Sequence, residues 1–144
     1  MSSILLAEDN PADVYLIREA LKEHGVECGM RVASDGKEVL GLITPETAAL
    51  PEMDDLSLII LDLNLPRHDG IEILERLRES SQWAHVPVVV LTSSDSPQDR
   101  QAATRLGARY FLRKPSNLEQ FLDLGAVFKE LLDKHTIHGA DDED

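Results

Sequence analysis

Three short, continuous apolar segments constrain the fold of this chain more than any other feature of its sequence. They are Ile4 to Ala7, Leu58 to Leu61 and Pro87 to Leu91. Each has the length of a β-strand, and none alternates as a strand with one solvated face does. They therefore predict central strands of a sheet that is covered on both faces. Two less apolar segments, Met30 to Ala33 and Arg109 to Leu112, bring the predicted strands to five, the first of these nearer an edge.

Segments with helical periodicity lie between these predicted strands. Helices are predicted to begin at Asn10-Pro11, Gly70, Ser96-Pro97 and about Asn117, with Gly25 and Gly107 ending the first and third and Lys134 ending the last. Because strand and helix alternate along the chain, we predict an α/β fold, a doubly wound parallel sheet with helices on both faces. Such sheets place their sites at the carboxyl ends of the strands.

The length of 144 residues and the 42% hydrophobic content fit one globular domain with a single core. We assign residues 1–134 to this domain. Residues 135–144 form an acidic tail that we expect to be disordered. The long polar connection from Thr44 to Leu56, which carries two prolines, is expected to be solvated.

Composition disfavours several classes of partner. The formal net charge of −13 would repel nucleic acid, and no cluster of Lys and Arg offsets it. The single cysteine, Cys28, cannot form an internal disulfide and has no zinc-binding spacing. The apolar segments are too short to span a bilayer, and no signal peptide is visible. We expect a cytoplasmic protein that binds neither nucleic acid nor membranes.

The predicted strands end in chemically reactive residues: Glu8 and Asp9 after the first, Asp62 after the third, Thr92 after the fourth and Lys114 after the fifth. Three carboxylates at one sheet edge repel one another unless a cation lies among them, and oxygen ligands with open positions suit Mg2+. An ammonium and a hydroxyl beside them can pair with phosphoryl oxygens. The pattern is typical of a phosphoryl-transfer site.

Four motifs at these strand ends resemble the receiver domains of two-component signalling, including the chemotaxis-regulator type that consists of a receiver alone. They are ILLAEDNPADVYL, LIILDLNLPRHDGIEIL, PVVVLTSSD and GARYFLRKP. Together they span roughly the first 130 residues in the order and spacing of the family. The resemblance implies a flavodoxin-like sheet of five parallel strands in the order 2-1-3-4-5.

The resemblance also implies roles for the site residues. Asp62 would accept a phosphoryl group from a sensor histidine kinase, and Asp9, Asp62 and the backbone carbonyl of Asn64 would bind Mg2+, the one cofactor implied. Glu8, which stands where the commonest pattern has Asp, would act on the metal through water. A cis peptide bond is implied between Lys114 and Pro115.

The implied switch consists of Thr92 and Phe111. Movement of Thr92 toward the phosphoryl group would leave space for Phe111 to rotate and alter the face formed by the last helix, strand and helix. Phe111 lacks the hydroxyl of the Tyr in the commonest pattern, and a core-packing role remains an alternative. Asn64 and Ser94 would tune dephosphorylation.

The implied function is that of a single-domain response regulator. It would be no enzyme beyond catalysing its own phosphorylation and dephosphorylation, and it would signal to an unknown downstream protein. The polar Thr44 to Leu56 connection and the segment Asn10 to Asp13 also look similar to phytochrome-associated receivers of bacteria, which often dimerise.

The last predicted helix carries two apolar stripes. One consists of Leu118, Phe121, Leu122, Phe128 and Leu132, and the other of Leu124, Val127 and Leu131. The second stripe has two interpretations, a broad contact with the core or a homodimer formed by this helix and the fifth strand.

Three rival functions fit the sequence less well. A phosphatase of the haloacid-dehalogenase type is expected to carry a second Asp two residues after its nucleophile, where this chain has Asn64. A nucleotide-binding module would need a Gly-rich loop after a strand, and neither GxGxxG nor GxxxxGK[ST] occurs there. An inert interaction domain does not account for an intact set of reactive strand ends.

Overall fold

The computed structural model describes residues 3–43, 56–67, 69–80, 82–93 and 96–140, with side chains described up to Lys134. The elements in chain order are β1 (Ser3–Ala7), α1 (Pro11–Glu23), β2 (Gly29–Ala33), α2 (Gly36–Ile43), β3 (Leu56–Leu61), α3 (Gly70–Glu79), β4 (Val88–Thr92), α4 (Pro97–Arg105), β5 (Tyr110–Arg113) and α5 (Leu118–Ala140). All five predicted strands are present, with small differences at their ends. In the described part of the chain, no helix combines the length and the apolarity needed to cross a bilayer.

The sheet has the strand order β2-β1-β3-β4-β5, and every pair of neighbouring strands is parallel. This confirms the predicted doubly wound sheet, whose strand order reverses beside β1. Ala7 pairs with Leu61 across β1 and β3. Since Glu8 and Asp62 are the next residues along those two strands, the register alone places their backbones side by side.

The core consists of two layers, one on each face of the sheet. All six residues of β3 are buried. Within that strand Leu58 and Ile60 pack with residues of α1 and α5, whereas Ile59 and Leu61 pack with residues of α2, α3 and α4. Burial of one such side chain contributes about 1.5–3 kcal/mol. A strand covered on both faces has no solvated side, which explains its continuous apolar sequence.

The ends of α1 follow from its capping residues. The Oδ1 atom of Asn10 accepts a hydrogen bond of 2.9 Å from the backbone N–H of Ala12, and Pro11 occupies the first turn. Gly25 lies just beyond the helix at a φ of 71°, a conformation that glycine adopts without strain. Both predicted ends are therefore confirmed, and α1 starts at the edge of the sheet where β1 ends.

Helix α2 was not predicted from the sequence. Val39, Leu42 and Ile43 are buried on one of its sides, at the spacing i, i+3, i+4. Its first turn is held by the Oδ1 atom of Asp35, which accepts a hydrogen bond of 2.8 Å from the N–H of Glu38. With only eight residues, two of them glycines, α2 gives a weak signal.

One prediction for α5 was wrong, because Leu118 is 60% exposed although we placed it on the core stripe. Leu131 of the second stripe is buried in the core, as the interpretation of a broad core contact predicts. The helix starts at Leu118, so this first residue lies at the edge of the packing interface. Helix α5 also continues to Ala140, past the boundary at residue 134. Residues 141–144 of the predicted tail and residues 44–55 of the polar connection lie outside the described residues.

Candidate functional site

The hydrogen-bonding pattern of the sheet continues past the strand ends and sets the backbone of the site. The N–H of Asp62 donates to the carbonyl of Ala7 at 3.0 Å, and the N–H of Lys114 donates to the carbonyl of Thr92 at 2.9 Å. Glu8, Asp62 and Thr92 are all buried, with exposures of 2%, 4% and 0%. The structure thus brings the reactive strand ends together in a protected position.

Lys114 lies at the centre of this group. Its Nζ atom is 2.9 Å from Oε1 of Glu8, 2.8 Å from Oδ2 of Asp62 and 2.8 Å from Oδ2 of Asp13. Burial alone would lower the pKa of Lys114, but its hydrogen bonds to Asp13, Asp62 and Glu8 outweigh burial and raise that pKa above the ordinary value. The ammonium therefore stays charged, with one donor for each carboxylate.

Both carboxylate oxygens of Asp62 accept hydrogen bonds. Oδ2 accepts from Lys114, and Oδ1 accepts from the hydroxyl of Thr92 at 3.0 Å and from the backbone N–H of Asn64 at 2.9 Å. The side-chain amide of Asn64 donates in turn to Oγ1 of Thr92 at 3.2 Å. The carboxylate of Asp62 is thereby oriented by groups at the ends of β3, β4 and β5.

The carboxylates of Glu8, Asp9 and Asp62 form a group that could hold a metal ion. Each offers an oxygen, and these oxygens lie within 4.8 Å of one another. Burial raises the pKa of Glu8 to about 7, whereas Asp9 is exposed. A set of carboxylate oxygens with one open side fits a hard divalent cation that keeps coordination sites for water or phosphate.

Phe111 lies within the edge strand β5. It pairs with Val90 across β4 and β5 and is partly buried against the core layer of α2, α3 and α4. The guanidinium of Arg100, on α4, lies 4.6 Å from the centre of its ring. The ring therefore connects β5 to α4. Ser94 lies outside the described residues.

Two features of the site differ from expectation. The predicted cis bond between Lys114 and Pro115 was wrong, because the described peptide bonds are all trans. With the N–H of Lys114 bonded to Thr92, the long lysine side chain reaches all three carboxylates from a trans backbone. Asp13 was not predicted as a site residue. Its only sequence signal was an acidic residue in the first turn of a helix that starts at the same sheet edge.

The site contains the groups that a carboxylate nucleophile requires. The buried Asp62 has an ammonium on one side and a hydroxyl on the other, both of which can donate to oxygens that carry developing negative charge. The amide of Asn64, unlike a carboxylic acid, cannot serve as the general acid of a dehalogenase-type phosphatase.

Comparisons with known proteins agree with this geometry. The family model of the response regulator receiver domain matches residues 4–124. The response regulator Rcp1 of Synechocystis sp. is 32% identical over 121 residues, which cover 84% of this chain and 82% of Rcp1.

Solved structures show the same fold. The phosphorylated cyanobacterial phytochrome response regulator RcpA superposes with a TM-score of 0.79 and 33% identity, covering 91% of this chain and 93% of its own. The Mn2+-bound form of Rcp1 superposes with a TM-score of 0.78 and 31% identity, covering 90% and 92%.

Some curated relatives are longer. The transcriptional regulatory protein TrcR of Mycobacterium tuberculosis is 35% identical over 121 residues, which cover 83% of this chain but 42% of TrcR. The match to the family model begins within β1, includes β2 to β5 and contains every reactive strand end from Glu8 to Lys114. On these grounds the chain belongs to the response regulator receiver domain family.

Proposed function

We propose that Asp62 accepts a phosphoryl group from a sensor histidine kinase in a Mg2+-dependent reaction, and that the signal leaves by a conformational change at the face of α4, β5 and α5. One observation carries the proposal. The buried carboxylate of Asp62 is held between the ammonium of Lys114 and the hydroxyl of Thr92, at distances of 2.8 Å and 3.0 Å.

In the proposed transfer, an oxygen of Asp62 attacks the phosphorus of a phosphohistidine in line. A P–O bond forms, the P–N bond breaks, and its electron pair stays on the imidazole nitrogen, which takes up a proton. Lys114 and Thr92 donate hydrogen bonds to the phosphoryl oxygens. Water later attacks the phosphorus and releases phosphate from Asp62, so that the protein catalyses only its own phosphorylation and dephosphorylation.

Glu8, Asp9, Asp62 and the backbone carbonyl of Asn64 would hold Mg2+, with Glu8 acting through water. When bound, the ion supplies positive charge to the oxygens of the incoming phosphoryl group. The closeness of the three carboxylates supports this assignment. So does the Mn2+-bound form of the similar protein Rcp1.

The central test is incubation with acetyl phosphate and Mg2+, followed by intact-mass measurement. We expect one acid-labile phosphoryl adduct on the wild type, none on Asp62→Asn and none in the presence of a chelator. Asp123→Asn, which removes an exposed carboxylate of α5, is the matched control and should be phosphorylated normally. An undiminished adduct on Asp62→Asn would refute the assignment of the acceptor.

A kinase of the phytochrome class is the proposed donor, because the similar protein RcpA is a phytochrome response regulator. Tyr15 of α1 and Leu118 of α5 are 61% and 60% exposed, and both helices begin at the sheet edge that carries Asp62. We expect Tyr15→Ala and Leu118→Ala to slow transfer from an autophosphorylated phytochrome kinase while leaving phosphorylation by acetyl phosphate unchanged. Equal slowing of both reactions would contradict docking at these residues.

A homodimer through β5 and α5 remains part of the proposal. Tyr110 and Leu112 of the edge strand β5, and Leu124 and Val127 of α5, are only partly buried in their own core layer. Sedimentation of the wild type should show a dimer that Leu124→Glu combined with Val127→Glu dissociates. A wild type that is monomeric both with and without phosphorylation would refute the dimer.

A further inference from the structure

The three carboxylates that bind Lys114 are not equivalent. Glu8 and Asp62 belong to the group whose oxygens lie within 4.8 Å of one another, together with Asp9. Asp13 comes from the first turn of α1. Its side chain is 16% exposed, whereas those of Glu8 and Asp62 are 1% and 5% exposed. Two of the three carboxylates that bind Lys114 therefore belong to the candidate metal site, and the third, that of Asp13, belongs to α1.

A divalent cation bound by the group of Glu8, Asp9 and Asp62 would change how Lys114 is held. Glu8 and Asp62 would share their carboxylates between the cation and the ammonium, and the two positive charges would repel each other. Lysine carries its charge on a flexible four-carbon stem and can swing toward solvent when its partners are withdrawn. Asp13 lies outside the group of Glu8, Asp9 and Asp62, so the hydrogen bond of 2.8 Å from Lys114 to Asp13 would not depend on the metal.

We propose that Asp13 is a positioning residue, whose carboxylate keeps the ammonium of Lys114 beside Asp62 when Glu8 and Asp62 turn toward the metal. The inference rests on the proposed function, because the ammonium of Lys114 is useful beside Asp62 only if it contacts an oxygen of an arriving phosphoryl group. Asp13 acts through Lys114 and does not itself touch the phosphoryl group.

A purely structural role for Asp13 makes different predictions. A carboxylate in the first turn of a helix stabilises the helix through the helix dipole, by an amount that any helix-terminal acid would supply. Loss of that role lowers the melting temperature but leaves the environment of Lys114 unchanged. The position of the ammonium is therefore the property to measure.

The first experiment detects the Lys114 ammonium by 15N-correlated NMR, in which only lysine ammonium groups protected from hydrogen exchange give sharp signals. The signal is assigned by its absence in Lys114→Arg. We expect the wild type and Asp13→Asn, which keeps an oxygen acceptor, to retain it in chelator and in Mg2+. Asp13→Ala should retain it in chelator and lose it in Mg2+. A signal that persists in Mg2+ in Asp13→Ala, or disappears from the wild type, would overturn the inference.

The second experiment measures the rate of phosphorylation against acetyl phosphate concentration. Loss of a hydrogen bond to a charged group should lower the maximal rate of Asp13→Ala about tenfold, with the half-saturating concentration unchanged. Asp13→Asn should recover most of the rate. Asp13→Ser, which suits the first turn of a helix but is too short to reach Lys114, should behave like Asp13→Ala and serves as the second truncated variant.

The matched control is Glu23→Gln, which removes one charge from the exposed far end of the same helix and should match the wild type in both experiments. A wild type that takes up no phosphoryl group would refute the proposed function. If the wild type is phosphorylated and both Asp13→Ala and Asp13→Ser react at least as fast as it does, the role of Asp13 is refuted while the proposed function stands. Loss of rate in Glu23→Gln as large as in Asp13→Ala would also overturn it, since the effect would then be one of net charge.

Discussion

The hydroxyl of Thr92 donates a hydrogen bond of 3.0 Å to Oδ1 of Asp62, between two side chains that are almost completely buried. The same hydroxyl oxygen accepts a hydrogen bond of 3.2 Å from the amide of Asn64. Since a hydroxyl has one hydrogen to donate, a bond from Thr92 to a phosphoryl oxygen replaces the bond to Asp62. In the proposed switch, phosphorylation therefore changes the partner of Thr92.

Replacement of Thr92 by valine keeps the shape of the side chain but removes its hydroxyl. Asp62 and Asn64 would each lose a buried hydrogen-bonding partner, so that the free energy of unfolding should fall by about 1–3 kcal/mol. Urea denaturation measures this difference. Thr104→Val makes the same chemical change at an exposed position of α4 and should have an effect within about 0.5 kcal/mol. Similar effects of the two variants would show that the buried hydrogen bonds contribute nothing measurable.

The raised pKa of Glu8 predicts a pH dependence of stability in the metal-free protein. Burial raises this pKa from 4.5 to about 7. Between these values the folded protein holds a proton that the unfolded chain has released. The stability contributed by protonated Glu8 is therefore complete below pH 4.5 and is lost as the pH rises through about 7.

Glu8→Gln stays neutral and lacks this dependence. In chelator, its melting temperature relative to the wild type should rise between pH 4.5 and about 7 and then level off. Thermal unfolding at a series of pH values measures the difference, with Glu23→Gln as the control whose difference from the wild type stays constant. A constant difference for Glu8→Gln would contradict the raised pKa.

The buried strands were predictable because a strand covered on both faces leaves a continuous apolar segment in the sequence, as β3 does. Helix α2 was missed because three buried residues, Val39, Leu42 and Ile43, are too few to distinguish a helix from a strand by period. The exposure of Leu118 depends on how far the packing interface of α5 extends, which periodicity does not reveal.

The site was predictable where strand topology alone brings residues together. Glu8, Asp62, Thr92 and Lys114 lie at ends of parallel strands, so that their closeness follows from the fold class. The contact of Asp13 with Lys114 depends instead on how α1 packs beside the sheet. The stacking of Arg100 on Phe111 likewise depends on the placement of α4 against β5.

Gly125 should be required for the packing of α5 against α1. A Cβ atom at this position would collide with the carbonyl oxygen of Ala20 and with the ring of His24. We expect Gly125→Ala to lower the free energy of unfolding by about 1–3 kcal/mol, because overpacking outweighs the gain in helix propensity. Gly41→Ala in α2 is the matched control. A Cβ there meets nothing within 4 Å, so alanine should be neutral or stabilise by up to about 1 kcal/mol.

Phosphorylation should change the environment of Phe111 and leave the other aromatic rings of the core unchanged. The chain contains three phenylalanines, so incorporation of fluorophenylalanine gives three 19F NMR signals. Phe121 and Phe128 are 3% and 0% exposed, lie in the opposite core layer and serve as internal references. The signal of Phe111, assigned by its absence in Phe111→Leu, is the one expected to shift with acetyl phosphate and Mg2+, because the ring would leave the guanidinium of Arg100.

Two controls separate this movement from general effects of phosphorylation. Asp62→Asn should show no shift, because it cannot be phosphorylated. Thr92→Val, once phosphorylated, should keep the Phe111 signal at its original position, because it has no hydroxyl to follow the phosphoryl group. A Phe111 signal that stays in place in the phosphorylated wild type would establish the ring as a packing residue only. A shift of equal size in phosphorylated Thr92→Val would show that the Phe111 ring moves without the hydroxyl of Thr92. Another contact would then have to link Asp62 to β5.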